Sequence, residues 1–482
     1  MSKKQLIVLG AGPGGYAAAF LAADLGMDVT LIDKELNPGG VCLYRGCIPS
    51  KALLHIAKLV NEAKEASKWG VEFSEPKLYP EKINEWKNKV VKNLTGGLGQ
   101  LTKQRKVHYI QGTAKFLDPH TLEVEKSGGE KEKLSFENII IATGSSPARI
   151  PNFPEFSDKI WDSTGALDIK KIPKKLLVIG GGYIGLELGT VYASVGSEVT
   201  VVEMLPHLLN GADRDLVAVF QKRISKLFKE ILVSTKVAGI SETKSGVKVT
   251  FETSDKKKDE REFDAVLIST GRKPNTKGFD LEKTGVKVDD KGFIIVDKQC
   301  KTNVTGIYAI GDVAGEPMLA HKASHEGRTA VEVIAGHKVE FAPNAIPAVV
   351  FTDPEIAWCG YTEAEAKESG IKYEVAKFPW AASGRAMTLD RTDGLTKIII
   401  EQGSQRILGM GIAGAGAGEL IAEGVLAVEM GANVTDLKLT IHPHPTLSET
   451  LMETAEIFFG QSTHIYRPKK SDKSDDKPDA NK

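Results

Sequence analysis

Cys42 and Cys47 are two of only four cysteines in the 482-residue chain, and they share the stretch Gly39-Gly-Val-Cys-Leu-Tyr-Arg-Gly-Cys-Ile-Pro-Ser-Lys51. Such a pair can clip a metal, close a structural ring or store two electrons. A metal needs further ligands, four intervening residues lie at the edge of zinc spacing, and Cys300 and Cys359 stand alone, so no metal is expected. A bridge cannot form inside a regular helix: residues five apart have Cα atoms about 8.7 Å apart, beyond the roughly 7 Å that a disulfide spans. Gly39, Gly40, Gly46 and Pro49 permit the necessary distortion. So small a ring removes little chain entropy and makes a poor staple. It suits a readily exchanged two-electron store better.

The elements that would position such a pair emerge from comparing the chain with itself. Leu6-Ile-Val-Leu-Gly-Ala-Gly-Pro-Gly-Gly-Tyr16 returns as Leu176-Leu-Val-Ile-Gly-Gly-Gly-Tyr-Ile-Gly-Leu186, an offset of 170 (180 − 10). The same offset carries Gly26 onto Gly196 and Asp33 onto Glu203. Each copy reads as a buried strand, a glycine turn, an Ala- and Leu-rich helix and a second strand closed by a carboxylate. In a dinucleotide unit the first glycine (Gly10, Gly180) makes the tight turn and the second (Gly12, Gly182) admits the pyrophosphate. The third (Gly15, Gly185) lets helix and strand pack closely. The phosphates sit on the helix N-terminus while Asp33 or Glu203 meets a ribose. Met204-Leu-Pro-His-Leu-Leu follows Glu203 with no arginine to pair with a 2′-phosphate, which favours NAD over NADP.

Two further apolar strands end in Thr-Gly before a proline loop, at Thr143-Gly144 and at Thr270-Gly271-Arg272, and are expected where the chain leaves each nucleotide domain. Ile307-Tyr-Ala-Ile-Gly311-Asp312 places an acid at a strand terminus, the usual ligand crevice of an α/β sheet. The competing reading makes Asp312 the N-cap of a helix near His321 to Ala335.

Length and composition bound the rest. At this length about three domains of roughly 150 residues are expected. Lys plus Arg and Asp plus Glu both total 63, which leaves no electrostatic footprint for nucleic acid or an anionic membrane. No apolar run reaches the roughly 18 residues of a membrane span. The N-terminal apolar stretch is too short for a signal peptide and reads as a first strand. The expected location is cytoplasmic. From about Pro347 short β segments such as Leu395 to Ile400 and Ile407 to Ile412 alternate with helices such as Gly418 to Gly431, an α+β domain with its own core. The tail from Arg467 is polar and expected to be disordered.

The cysteine motif through His55, the two glycine fingerprints, Gly311-Asp312 and His442-Pro-His-Pro-Thr-Leu-Ser-Glu449 together resemble the pyridine nucleotide disulfide oxidoreductases, from about residue 5 to residue 466. The resemblance implies an α/β fold with two Rossmann-like dinucleotide-binding domains and a C-terminal α+β dimerisation domain. FAD would occupy the first fingerprint and NAD the second. The implied boundaries are 1–148 and 275–346 for the FAD domain, 149–274 for the NAD domain and 347–466 for the dimerisation domain. The implied activity oxidises protein-bound dihydrolipoamide to lipoamide and reduces NAD+ to NADH. Its partners would be lipoyl-carrier domains of 2-oxo acid dehydrogenase or glycine cleavage proteins. The implied assembly is a homodimer whose active site is shared between subunits.

Carried over residue by residue, the resemblance makes Cys42 the thiol that exchanges with substrate and Cys47 the thiol against the flavin. His444 becomes the base and Glu449 its orienting carboxylate. Lys51 and Glu187 become an ion pair near the flavin ring and nicotinamide, and Tyr183 a residue on the nicotinamide side. Further cofactor contacts are implied at Gly112, Thr143, Gly144, Gly271, Arg272, Gly311, Asp312, Leu319 and Ala320. The chain departs from the family at Asp33, where glutamate is common, and at Val41, Tyr44 and Arg45, where Thr, Asn and Val are commoner. An inward-pointing Arg45 would depress a cysteine pKa.

Overall fold

The computed structural model describes residues 3–466; the expected disordered tail lies outside the described residues. Two compact units are present, Met1–Leu209 with Ser225–Ala342 and Asn210–Ile224 with Pro343–Lys482.

The first unit contains two parallel sheets, whose strands are continuous apolar runs because both faces are covered. In one, β1 (Lys3–Leu9) lies between β2 (Val29–Asp33) and β5 (Lys131–Ile141), with β3 (His108–Asp118) beyond β2 and β16 (Ile307–Ala309) beyond β5. The far half of β3, β4 (Thr121–Lys126) and the near half of β5 continue as an antiparallel meander. Gly112 is the residue at which β3 changes partner from β2 to β4, and a Cβ there would lie 2.4 Å from the Glu125 carbonyl oxygen. Helices α1 (Pro13–Asp24) and α8 (Ala320–Ile334) approach closely because both are small at the contact: a Cβ on Gly327 would lie 2.6 Å from the Gly14 carbonyl oxygen.

The second sheet runs β10 (Glu230–Leu232), β9 (Glu198–Val202), β8 (Lys175–Ile179), β14 (Ala265–Ile268), β7 (Ile160–Trp161), all parallel. Helix α6 (Tyr183–Ser194) follows β8, so strand, helix and strand repeat at the offset read from the sequence. A hairpin sheet of β11 (Thr235–Glu242), β12 (Val247–Thr253) and β13 (Lys258–Phe263) precedes β14. The crossing points carry a short antiparallel ribbon of β6 (Ser145–Pro147) and β15 (Arg272–Pro274), each just after a Thr-Gly loop. Helices α2 (Gly40–Arg45), α3 (Cys47–Glu65), α4 (Pro80–Gln104) and the short α5 (Ser163–Ala166) complete this unit.

The second unit is an antiparallel sheet, β17 (Ala348–Val350), β18 (Glu355–Gly360), β21 (Ile407–Gly414), β20 (Leu395–Glu401), β19 (Tyr373–Pro379). Its core gathers Phe378, Trp380, Ile398, Ile412 and Leu451. The fully buried Trp380 occupies the space that glycine leaves at Gly394 and Gly414. Most of α7 (Arg214–Leu227) belongs here, with α9 (Glu363–Glu368), α10 (Gly384–Thr388), α11 (Ala417–Glu429), α12 (Val434–Leu439) and α13 (Glu449–Phe458). Asp213, Asp215 and Glu363 converge as a metal site would, but the buried Lys397 ammonium stands among them and hydrogen-bonds all three. The charge is thus compensated by the chain itself. Among the described residues, no helix is long and apolar enough to cross a membrane.

Candidate active site

The two glycine turns have the same geometry. Gly10 and Gly180 take φ of +101° and +109°, in the region that favours glycine, and a Cβ on either would strike a carbonyl oxygen of the next strand, Ala142 at 2.3 Å and Ser269 at 2.6 Å. Gly12 and Gly182 are the N-caps of α1 and α6, and a Cβ on either would meet nothing within 4 Å. Gly15 and Gly185 pack so tightly that a Cβ would lie 1.9 Å from the Gly10 carbonyl oxygen and 2.4 Å from that of Gly180. Turn, open approach and close packing therefore fall on the three glycines in the expected order, twice.

The acids obey the same offset. Asp33 accepts from the amides of Ala11 (2.6 Å) and Glu35 (3.0 Å); Glu203 accepts from those of Gly181 (2.7 Å) and Leu205 (2.8 Å). Each carboxylate braces its glycine turn and retains lone pairs for a further donor.

A cavity of about 400 Å³ opens from the first turn. It brings together Gly10, Gly12, Gly15, Asp33, Cys42, Cys47, Lys51, Thr143, Gly144, Tyr183, Glu187, Arg272, Gly311, Asp312 and Ala320. Gly180, Gly182, Gly185 and Glu203 stand apart from it as the second turn. Gly271, with φ of +120°, is the bend between β14 and β15. Gly112 and Leu319 do not line the cavity either: Gly112 is the strand switch point and Leu319 the N-cap of α8.

The cysteines lie on either side of a helix break. α2 ends at Arg45, Gly46 adopts φ −144° and ψ −113°, and α3 begins at Cys47. A Cβ on Gly46 would lie 2.9 Å from the Val41 carbonyl oxygen, so only glycine lets the turn close beneath the pair. The two thiols line the same cavity, and each shifts the other's titration in the opposite direction. The Cys42 thiol is pushed up, first by its interaction with Cys47 and then by burial. Cys47 is lowered to about 7, first by its interaction with Cys42 and then, against the cost of burial, by the Lys51 ammonium. Its place at the start of the 19-residue α3 adds the favourable end of a helix dipole. Lys51 Nζ in turn lies 2.8 Å from Oε2 of the buried Glu187. Absorbance of the reduced protein at 240 nm should therefore show a first thiol proton lost near pH 7, with thiolate present above and absent below. Cys47→Ser should remove that step.

Arg45 does not act as a thiol-acidifying charge. It pairs with Glu35 and lies over the Tyr44 ring at 5.9 Å, while Tyr44 bonds the backbone of Asn37. The unusual Tyr44 and Arg45 thus fasten α2 to the loop after Asp33. Asp312 is not the N-cap of α8: Leu319 holds that position without a side-chain bond. Asp312 instead accepts from the Ser145 hydroxyl, and Arg272 donates to the same hydroxyl at 2.7 Å. Ser145 is a site residue that the sequence reading missed, although it directly follows the Thr143-Gly144 turn. Glu326, outside the cavity lining, braces that site from behind: it accepts from the Gly311 amide at 2.7 Å and pairs with the buried Lys322.

In the second unit His444 Nδ1 lies 2.8 Å from Glu449 Oε1, while Glu449 Oε2 accepts from the Thr446 amide at 2.7 Å. Burial raises the Glu449 carboxyl, but the Thr446 amide and the His444 ring outweigh it and hold the group below its ordinary value. A carboxylate at Nδ1 keeps the neutral ring's proton there and leaves Nε2 as the basic nitrogen. The His444 side chain is 73% exposed.

Comparison with known proteins addresses the chain as a whole. The family described as pyridine nucleotide-disulphide oxidoreductase matches residues 4–327, and its dimerisation domain matches residues 346–455. The dihydrolipoyl dehydrogenase of Haemophilus influenzae is 50% identical over 471 residues, 98% of this chain and 98% of its own. That of Bacillus subtilis is 46% identical over 464 residues, 96% and 97% of the two chains. Among solved structures, LpdA from Mycobacterium tuberculosis superposes with a TM-score of 0.88 at 27% identity, covering 94% of this chain and 99% of its own. The HOCl-induced flavoprotein disulfide reductase RclA from Escherichia coli gives 0.82 at 29% identity, covering 94% and 99%. Both halves of the duplicated architecture and the domain that follows them thus have counterparts at matching length, and the chain belongs to the pyridine nucleotide-disulphide oxidoreductase family.

Proposed function

We propose that this chain oxidises dihydrolipoyl groups presented on lipoyl-carrier domains of 2-oxo acid dehydrogenase or glycine cleavage proteins, with Cys42 and Cys47 as the exchanging pair. It is an NAD-linked disulfide oxidoreductase with FAD and NAD as cofactors, and the dimerisation-domain match supports a homodimer. Residues 1–148 with 275–346 hold FAD, 149–274 hold NAD, and 347–466 form the dimer contact. Supporting this division, the open face at Gly12 and at Gly182 lies at a helix N-terminus, as a pyrophosphate requires. The reducing cytoplasm suits an enzyme whose other cysteines, Cys300 and Cys359, are buried free thiols.

The observation that carries the proposal is the placement of Cys42 and Cys47 on either side of the Gly46 helix break, lining one cavity with the Lys51–Glu187 ion pair. A substrate thiolate attacks Cys42 Sγ, the Cys42–Cys47 bond breaks, and the electron pair leaves on Cys47. Cys47, with the Lys51 ammonium nearby and the α3 N-terminus to hold its negative charge, is the better leaving group. The second substrate thiolate then attacks its own bridging sulfur and departs as the cyclic disulfide. One substrate proton ends on Cys42 and the other on His444, held by Glu449 in the tautomer that receives it. In the homodimer the His444–Glu449 pair of one chain serves the thiols of the other. Lys51, anchored by Glu187, sets an ammonium near the Cys47 thiolate. When bound, FAD relays the electron pair from the dithiol to NAD+.

The assay is NADH formation from dihydrolipoamide and NAD+ by the purified yellow protein. Turnover of glutathione disulfide with NADPH in its place would overturn the proposal; Glu203, followed by Met204 and Leu205 with no arginine, argues for the first outcome.

A further inference from the structure

We propose that His442, the first histidine of the C-terminal motif, is an imidazolium clamp that positions His444 by tying its loop to α11. The inference rests on the reading of His444 as the base. His442 has both ring nitrogens engaged: Nδ1 lies 2.8 Å from the Thr440 carbonyl oxygen and Nε2 lies 2.8 Å from Oε1 of Glu423 on α11. A carbonyl and a carboxylate both accept. A neutral imidazole carries one N–H and would turn a lone pair on the other oxygen, so the geometry is satisfied fully only by a ring protonated at both nitrogens.

The surroundings agree. The His442 side chain is 4% exposed, whereas Ile441 beside it is 95% exposed and His444 two residues on is 73% exposed. The loop is therefore pinned inward at position 442 and presents position 444 outward. Pro443 restricts the single residue between them, and its carbonyl accepts from the Thr446 hydroxyl at 2.8 Å. The charged groups facing His442 are Glu423 from α11 and, more distantly, Glu449 from α13. Glu423 foremost, opposed by burial, raises the His442 pKa. The cation thus also sits near the carboxylate that orients the base.

Two consequences separate this role from simple loop packing. Loss of the anchor lowers kcat with dihydrolipoamide while KM changes little, because the base is displaced and substrate contacts are not. Loss of the cation removes a positive charge from beside the loop, so the acid limb of kcat/KM moves to higher pH.

The test compares His442→Asn, Glu423→Gln and His444→Gln in the full-length, FAD-loaded dimer, with rates normalised to NADH–ferricyanide turnover, which handles no thiol proton. His442→Asn should lose about tenfold or more in kcat with the acid limb displaced. Glu423→Gln, which keeps an acceptor oxygen but not the charge, should shift the limb with a smaller loss of kcat. If His444→Gln retains dihydrolipoamide turnover, the base assignment itself fails. If His444→Gln is inactive while His442→Asn keeps both the wild-type kcat and the wild-type limb, the clamp fails and the base assignment stands. A His442→Asn loss with an unmoved limb reduces His442 to loop packing and also overturns the proposal.

Discussion

Cys42→Ser should abolish oxidation of dihydrolipoamide by NAD+, by at least about four orders of magnitude, while the purified dimer stays yellow and keeps its melting temperature. The loss is this large because no other sulfur can replace Cys42: Cys300 and Cys359 are buried, and burial pushes both thiols up to about 12. Without Cys42 the substrate dithiol has no disulfide to attack, and nucleophilic catalysis is removed rather than slowed. Retention of FAD is expected because Cys42 is one residue among many lining the cavity. The checks are NADH formation at 340 nm and the flavin-to-protein absorbance ratio. A catalytically idle, structural flavoprotein would instead keep its function after this substitution.

The second large effect separates cofactor binding from folding at the first glycine turn. Gly12→Val should yield a folded apoprotein that does not retain FAD, because its side chain enters open space at the α1 N-terminus and fills the approach reserved for a pyrophosphate. Gly15→Val should fail earlier. Its Cβ would lie 1.9 Å from the Gly10 carbonyl oxygen, so α1 must move off β1 and the strand–helix core opens. The first variant is read by flavin content with unchanged circular dichroism, the second by loss of soluble dimer. Comparable flavin content in both would break the division of labour among the three glycines.

These expectations draw on what was legible before any coordinates. Hydrophobic runs, glycine spacing and terminal acids are local, so the doubled βαβ unit and its offset could be read from residues alone. The same holds for a distortion between the cysteines, which helix geometry demands of any bridge and which Gly39, Gly40, Gly46 and Pro49 permit; that the break falls at Gly46 emerged only with the fold. Long-range pairing was not legible. Ser145 reaches Asp312 across 167 positions, and that bond displaced the local N-cap reading of Asp312. Arg45 was weighed only against its neighbours in sequence, whereas the backward turn of the chain delivers it to Glu35. Gly112 carried no local signal as a strand switch, since the change of partner from β2 to β4 exists only once the sheet has formed.

The asymmetry of the cysteine pair likewise needed the structure. Composition identified two close thiols, but only the placement of Lys51 and the α3 N-terminus beside Cys47 makes one sulfur the leaving group and the other the target. The departures at Tyr44 and Arg45 leave that asymmetry intact because their interactions are spent on Asn37 and Glu35.

The central claim, that electrons from a dihydrolipoyl group enter at Cys42 and Cys47, is tested most directly by anaerobic titration of the oxidised, FAD-loaded dimer with dihydrolipoamide in the absence of NAD+. Samples are alkylated at each step and the labelled cysteines identified by mass spectrometry. Stoichiometric dihydrolipoamide should release Cys42 and Cys47 together as alkylatable thiols, with Cys300 and Cys359 unlabelled throughout. Flavin bleaching while Cys42 and Cys47 remain joined, or label appearing first at another cysteine, would contradict it.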